Sequence, residues 1–274
     1  MKIKDLVNFG HRELIEFDSA RLDAEILLSD VLKKPFTYIL AHNEREVSFF
    51  QQWSYKRMVA RRKKGTPVAY LRGYKEFYGL DFKVSKHVLV PRPSTEALVQ
   101  AVIDYIQPDD LLLDVGTGSA CIPISVLNHT DGVEAIATDI SSSALSVARS
   151  NAKTHGVTTR IQFFLSDLLK SVPPEVFEGR GLVVTANLPY VPKDYQVNIE
   201  TKFEPQMALY GGEDGMEIYR RLLNQLLPLR PKVMFFECFD FQKAILVEHA
   251  PGYKLRQIEN PLSIAGVMIL ERSN

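Results

Sequence analysis

The chain has 274 residues, 46% hydrophobic and 24% charged, the makeup of a globular protein that can hold one α/β domain and a smaller appendage. Its 33 Lys and Arg are balanced by 33 Asp and Glu, which does not suit a protein whose main task is gripping a phosphate backbone. Two cysteines, Cys121 and Cys238, offer neither a disulfide framework nor a cysteine zinc site, and His11, His42, His87, His129, His155 and His249 lack metal-ligand spacing, so no metal is expected. No apolar run approaches a membrane span, and Met1 to Asp5 lack the apolar core of a signal peptide; a cytoplasmic location without a membrane partner is the expectation.

The first elements are helical. Ser19 to Val31 carries Leu22, Ile26, Leu27 and Val31 at helical spacing, and a helix starting at Ser48 and stopping at Gly65 carries Phe49, Phe50, Trp53, Met58 and Val59. Both stripes are expected to be mainly core. Lys56, Arg57, Arg61, Arg62, Lys63 and Lys64 close the second helix. They read equally well as complements to its macrodipole and as a docking patch for a ribonucleoprotein or an acidic partner. The chain divides near residue 72, giving a helical domain over 1–71 and a larger domain over 72–274.

From Tyr74 the period changes to two, with Leu80, Phe82 and Val84 alternating against Asp81 and Lys83, a β-hairpin that joins the domains over 72–93. Pro91-Arg92-Pro93 and a helix start at Ser94-Thr95-Glu96 follow. Strands and helices then alternate, which calls for a doubly wound, mostly parallel sheet. Two final strands, near 253–258 and 264–271, follow one another without a helix, so an antiparallel pair is expected at the sheet edge.

Three strand ends look chemical. Leu111 to Val115 is an apolar strand broken only by Asp114, and Gly116-Thr117-Gly118-Ser119-Ala120 then opens a helix. A dinucleotide fingerprint needs Gly at position 121, where this chain has Cys121, and Asp114 would repel a pyrophosphate. A ligand bearing an amino group suits Asp114 and the close glycine backbone better. The strand Val133 to Thr138 ends at Asp139-Ile140, where a carboxylate can accept from both hydroxyls of a ribose. After Ile161 to Leu165, Asp167 is placed to accept from an exocyclic amine and Leu168 to pack on an adenine face. The ordered set points to S-adenosylmethionine.

A fourth strand, Gly181 to Ala186, ends in Asn187-Leu188-Pro189-Tyr190. The Asn187 side-chain oxygen and the Leu188 carbonyl can accept both hydrogens of a planar NH2 group. Pro189 biases Leu188 toward an extended backbone, and Tyr190 offers a flat face. These four residues are the expected catalytic and substrate-binding group, with Arg92 as a further substrate-side residue.

Several stretches together resemble the protein-(glutamine-N5) methyltransferases of peptide chain release factors, the HemK/PrmC type. They are Ser19 to Glu25, Gly65 to Leu71, Glu76-Phe77-Tyr78-Gly79, Val88 to Pro93, the loop after Asp114, Ala137 to Ile140, Asn187 to Tyr190 and Gly211 to Gly215. The resemblance implies a seven-stranded Rossmann-like methyltransferase sheet behind a helical substrate-recognition domain. It also implies methylation of the glutamine in a release factor's Gly-Gly-Gln tip, with no direct nucleic-acid target. The chain departs from the family's pattern at Leu188, where Pro is usual, at Ala120 for a glycine, at Ser94 for Glu, and over 259–263. Two alternatives stand beside this reading: adenine N6 methylation of RNA or DNA, and a SAM-binding translation adaptor without catalysis.

Overall fold

A computed structural model describes residues 1–197, 199–258 and 265–273. The chain forms two compact units, Met1–Tyr74 with Asn198–Phe203, and Lys75–Val197 with Glu204–Asn274. Among the described residues no helix is long and apolar enough to cross a membrane.

The first unit packs α1 (Ile3–Glu13), α2 (Ala20–Leu32), α3 (Phe36–Ala41), α4 (Phe49–Lys63) and α5 (Val68–Arg72) around Ile3, Leu6, Leu14, Leu27, Leu28, Tyr55 and Val59. The Ser48 hydroxyl accepts from the Gln51 N–H and caps α4. Helical spacing located α2 and α4 and found part of their buried faces: Leu27 and Val59 are buried, and Val31 and Met58 pack against the same core. Leu22 is exposed, and α2 also buries Ala20, Ala24 and Leu28. Phe49, Phe50 and Trp53 are also exposed, while Tyr55, Val59 and Arg62 turn inward.

The basic cluster is therefore not one patch. Arg62 is fully buried; its Nε donates to Asp23 at 2.7 Å, an Nη to Glu200 at 2.6 Å, and its guanidinium lies 4.0 Å from the Phe17 ring centroid. Lys63 pairs with Glu13. Glu200 reaches Arg62 because residues Ile199–Phe203, far along the chain, group with the helices.

In the second unit, β1 (Tyr74–Phe77) and β2 (Leu80–Lys83) form the expected hairpin. Tyr78 and Gly79 both take positive φ, 51° and 73°, the left-handed pair that suits the twist of a two-residue hairpin turn. Then come α6 (Glu96–Tyr105), β3 (Leu111–Val115), α7 (Cys121–His129), β4 (Glu134–Asp139), α8 (Ser142–Thr154), β5 (Ile161–Leu165) and β6 (Leu182–Ala186). The chain closes with α9 (Glu217–Leu226), β7 (Val233–Phe239), α10 (Lys243–Glu248), β8 (Tyr253–Ile258) and β9 (Ala265–Arg272).

The sheet has seven strands in the order β5-β4-β3-β6-β7-β9-β8; the first five run parallel and β9 is antiparallel to both β7 and β8. Alternation along each strand feeds two cores. Leu112, Ala135, Val183 and Phe235 pack with α6, α7 and α8, whereas Leu111, Leu113, Val184 and Phe236 pack with α9 and α10. The strand order reverses between β3 and β6, so the crevice outside their carboxyl ends is where such a sheet binds ligands. The divergent stretch 259–263 lies outside the described residues.

Removing Asp23 would leave the Arg62 guanidinium buried with half its compensation. We expect Asp23→Ala to lower unfolding stability by roughly 3 kcal/mol, read from the urea midpoint. A loss smaller than about 1 kcal/mol would mean that the ion pair does not anchor the helices.

Candidate cofactor and substrate site

The carboxyl ends of β3, β4, β5 and β6 open into one cavity of about 430 Å³, inside the roughly 300–1,000 Å³ usual for small-molecule sites. Gly116 and Gly118 after β3, Asp139 and Ile140 at β4, Asp167 and Leu168 after β5, and Asn187, Leu188 and Pro189 after β6 all line it. Lys86 and His87 line it too, as do Pro205 and Met207, none of which had been assigned to the site.

The glycine loop is tight for a reason that can be measured. Gly116 has φ +75°, and a Cβ there would sit 2.6 Å from Cδ2 of Leu188. The loop and the Asn187 tetrapeptide thus touch, and any side chain at 116 would part them. Ala120, at φ 61° and fully buried, occupies a left-handed position directly before α7.

Asp139 sits across this loop. Its Oδ2 accepts from the Gly118 N–H at 2.9 Å and its Oδ1 from the Ser141 N–H at 2.8 Å, so each oxygen keeps capacity for a further donor. Burial raises its pKa, and those backbone N–H groups pull it back down. Ile140 beside it is 57% exposed, an apolar face without cover. Leu168 takes φ 56°, and Asp167 is held by Arg221, with both oxygens 2.6 Å from one guanidinium nitrogen, and by Lys170; the Lys170 bond leads in lowering its pKa.

Asp114 does not line the cavity; it is 1% exposed, behind Val115 and Gly116, which do. Its Oδ1 accepts from the Thr185 hydroxyl at 2.7 Å. Its Oδ2 and the Thr117 hydroxyl are buried without a hydrogen-bond partner among the described residues. Desolvation pushes the Asp114 carboxyl up to about 6, against the lowering influence of Thr117 and Thr185. A buried carboxyl of this kind, directly behind a glycine loop, favours an ammonium-bearing ligand on the other side of that wall. Together with the Asp139 carboxylate and the bare Ile140, it fits S-adenosylmethionine. Thr117, Ser119 and Ala120 are buried in the loop and stay off the cavity wall.

The tetrapeptide is braced from below. The Leu188 N–H donates to the Tyr219 hydroxyl at 3.2 Å, and that hydroxyl donates to the Glu237 carbonyl at 2.7 Å. The Tyr190 hydroxyl donates to Glu237 Oε1 at 3.1 Å, its ring stands edge-on to Phe239, and its carbonyl accepts from Gln242 Nε2 at 2.7 Å. Tyr190 is therefore structural in its contacts and is not part of the cavity wall. Asn187 Nδ2 donates to Thr95 Oγ1 at 3.1 Å, so Thr95 does not cap α6 as a helix start would suggest. Arg92 pairs with the buried Glu204, which also accepts from the Val90 N–H, and it does not line the cavity.

Thr95, Tyr219 and Glu237 were missed from sequence. One signal was there: Glu237 is the only charged residue in the wholly buried strand Val233–Phe239.

Comparison with known proteins is consistent along the chain. The PrmC N-terminal domain family matches residues 5–73, and a methyltransferase domain family matches residues 96–186. A release factor glutamine methyltransferase of Koribacter versatilis is 38% identical over 223 residues, covering 79% of this chain and 77% of that protein. Another, of Clostridium acetobutylicum, is 38% identical over 231 residues, covering 82% and 80%. A methyltransferase structure from Pyrococcus furiosus aligns with a TM-score of 0.54 at 18% identity, over 78% of this chain and 98% of that one, a likeness of fold.

The raised Asp114 pKa has a signed consequence. A carboxyl whose folded pKa lies above its unfolded value destabilises the fold in its charged form, so its stability is full below the unfolded value, near 4, and is lost as pH rises through about 6. Asp114→Asn should therefore stabilise the ligand-free protein at pH 8 by about 1–3 kcal/mol, with the gain vanishing near pH 4, while weakening cofactor binding. Denaturant titrations at pH 4, 6 and 8 check this; a pH-independent effect would remove the burial penalty from the account.

Proposed function

The chain belongs to the family of release factor glutamine methyltransferases, and we propose that it transfers a methyl group from S-adenosylmethionine to the side-chain nitrogen of the glutamine in a release factor's Gly-Gly-Gln motif. The observation that carries this reading is that one cavity wall runs from Asp139 and Ile140, through Gly116, to Asn187 and Leu188. A site for the donor and a site for a planar NH2 group share that wall.

Bound S-adenosylmethionine supplies an electrophilic methyl group on a sulfonium, whose departure as a neutral thioether needs no acid. Asp139 would accept from the ribose hydroxyls, Ile140 and Leu168 would pack on the adenine, and Asp167 would accept from its exocyclic amine. The Gly116–Ala120 loop would hold the amino acid end, and the Asp114 charge behind the wall would favour its ammonium. Asn187 Oδ1 and the Leu188 carbonyl accept the two N–H bonds of the glutamine carboxamide. An amide nitrogen is a weak nucleophile because its lone pair is shared with the carbonyl. Two acceptors draw charge toward that nitrogen and fix its line of attack, so orientation and electrostatics do the catalysis; the new N–C bond replaces the methyl's bond to sulfur, and one N–H proton is released to solvent after transfer. Pro189 shapes the pocket and Tyr190 anchors the tetrapeptide. Arg92, paired with Glu204, holds the approach segment rather than the substrate.

The helical domain, over 1–71, serves recognition of the protein substrate in the cytoplasm. Adenine N6 also presents a planar NH2 group, but a balanced net charge and a PrmC-type N-terminal unit favour a protein target over nucleic acid.

Incubation with labelled cofactor and a Gly-Gly-Gln release factor, followed by mass spectrometry, should place one methyl group on that glutamine. Asn187→Ala should cut kcat on the order of 100-fold or more while cofactor affinity falls far less. Asp139→Ala should chiefly weaken cofactor binding, by about 10-fold or more, measured by calorimetry. Full transfer by Asn187→Ala would take that residue out of the mechanism.

A further inference from the structure

The Asn187 amide carries a donor end and an acceptor end on one flat group, and nothing in the amide itself decides which end meets the substrate. The decision falls to what lies behind it. Thr95 Oγ1 accepts a hydrogen bond from Asn187 Nδ2 at 3.1 Å. Thr95 is 3% exposed, so its own hydroxyl proton must find a protein acceptor rather than water.

A carboxyl acceptor lies close by. The Glu237 carboxylate, 2% exposed, feels the hydroxyls of Thr95, Tyr190 and Ser94. Its Oε1 accepts from Tyr190, but its Oε2 is buried and has no completed hydrogen bond among the described residues. An ionised carboxylate only accepts.

We propose that Glu237 sets the polarity of the chain Glu237–Thr95–Asn187: Thr95 commits its proton to Oε2, can then only accept from Asn187 Nδ2, and so leaves Asn187 Oδ1 as the end presented to the substrate carboxamide. In the flipped amide, Oδ1 would face a Thr95 oxygen with no proton to give, and an NH2 group would face the substrate's NH2 group. Both contacts are repulsive. Glu237 touches neither reacting atom, so it is a positioning residue. Its backbone carbonyl has a parallel task, holding the Tyr219 hydroxyl that receives the Leu188 N–H. One residue of β7 thereby aligns both oxygens of the acceptor pair.

The inference rests on the reading that Asn187 Oδ1 accepts from the substrate amide, and the test separates the two. Thr95→Val keeps the shape of Thr95 but can neither accept nor donate; Thr95→Ser keeps the hydroxyl. Glu237→Gln keeps the shape of Glu237 but adds a donor that can reverse the chain. Steady-state kinetics with a Gly-Gly-Gln release factor should show kcat falling on the order of 10- to 100-fold in Thr95→Val and Glu237→Gln, with KM for the release factor little changed. Thr95→Ser should recover most of what Thr95→Val loses, and thermal melts should show all three folded.

The deciding measurement is a double-mutant cycle. If Thr95 acts through Asn187, adding Thr95→Val to Asn187→Ala costs nothing further. A merely structural Thr95 would give additive losses, and that result overturns the relay. Wild-type kcat in Thr95→Val and Glu237→Gln, with Asn187→Ala still inactive, also overturns the relay but leaves the acceptor pair standing. An active Asn187→Ala brings down the acceptor pair itself.

Discussion

A parallel sheet covered on both faces leaves its strands one place to show polar groups to a ligand, the carboxyl ends. β3 and β6 are buried at every residue, so access to the cavity begins only where they end, at Val115 and Gly116 and at Asn187. This constraint explains why donor and acceptor functions sit in consecutive βα loops rather than on helix faces. It also gives meaning to the polar residues that remain inside the strands. Asp114, Thr185 and Glu237 are all buried, and each is spent on orienting or charging the layer in front of it. Buried polar groups need partners, and here the missing partners are ligand groups or the site residues themselves.

The two buried carboxylates differ in what surrounds them. Asp114 has one oxygen satisfied by Thr185, and its other oxygen sits beside a hydroxyl that completes no bond. Burial dominates and its pKa climbs. In the function proposed above, that unfavourable charge favours a cation, because a ligand ammonium would relieve it. Glu237 is also raised by burial, but three hydroxyls and the Arg92 charge lower it. A carboxylate surrounded by donors suits a structural task better than capture of a ligand, and the Arg92–Glu204 pair nearby extends the same bracing.

Much of the architecture was legible because periodicity reports burial directly. The apolar runs, the Gly-rich turn and the hairpin gave the sheet, its antiparallel edge and the four loops of the cavity. Faces of the helical unit were less legible. Phe49, Phe50 and Trp53 are apolar yet exposed, while Arg62, read as part of a surface cluster, is buried through Asp23 and Glu200. Hydrophobicity alone cannot foresee a buried cation whose carboxylate partner lies more than a hundred residues away. The bracing groups escaped for a similar reason. Thr95 looks like a helix start and Tyr219 like a core aromatic; their roles exist only once β6, β7 and α9 are side by side.

Leu188 shows how a departure from the family's pattern can be absorbed. The usual proline at this position fixes φ through its ring but has no N–H. Leucine gives up that fixed angle and gains a donor, which would be a liability if buried without a partner. Tyr219 supplies the partner at 3.2 Å, and the same hydroxyl is tied to the Glu237 carbonyl. On its other side the leucine side chain packs against Gly116, where no Cβ would fit. A hydrogen bond and a packing contact thus restrain the backbone that a ring would otherwise lock. The carbonyl of residue 188, which any amino acid possesses, keeps the acceptor role proposed for it. Stiffness at this position is a property of the surroundings as much as of the residue.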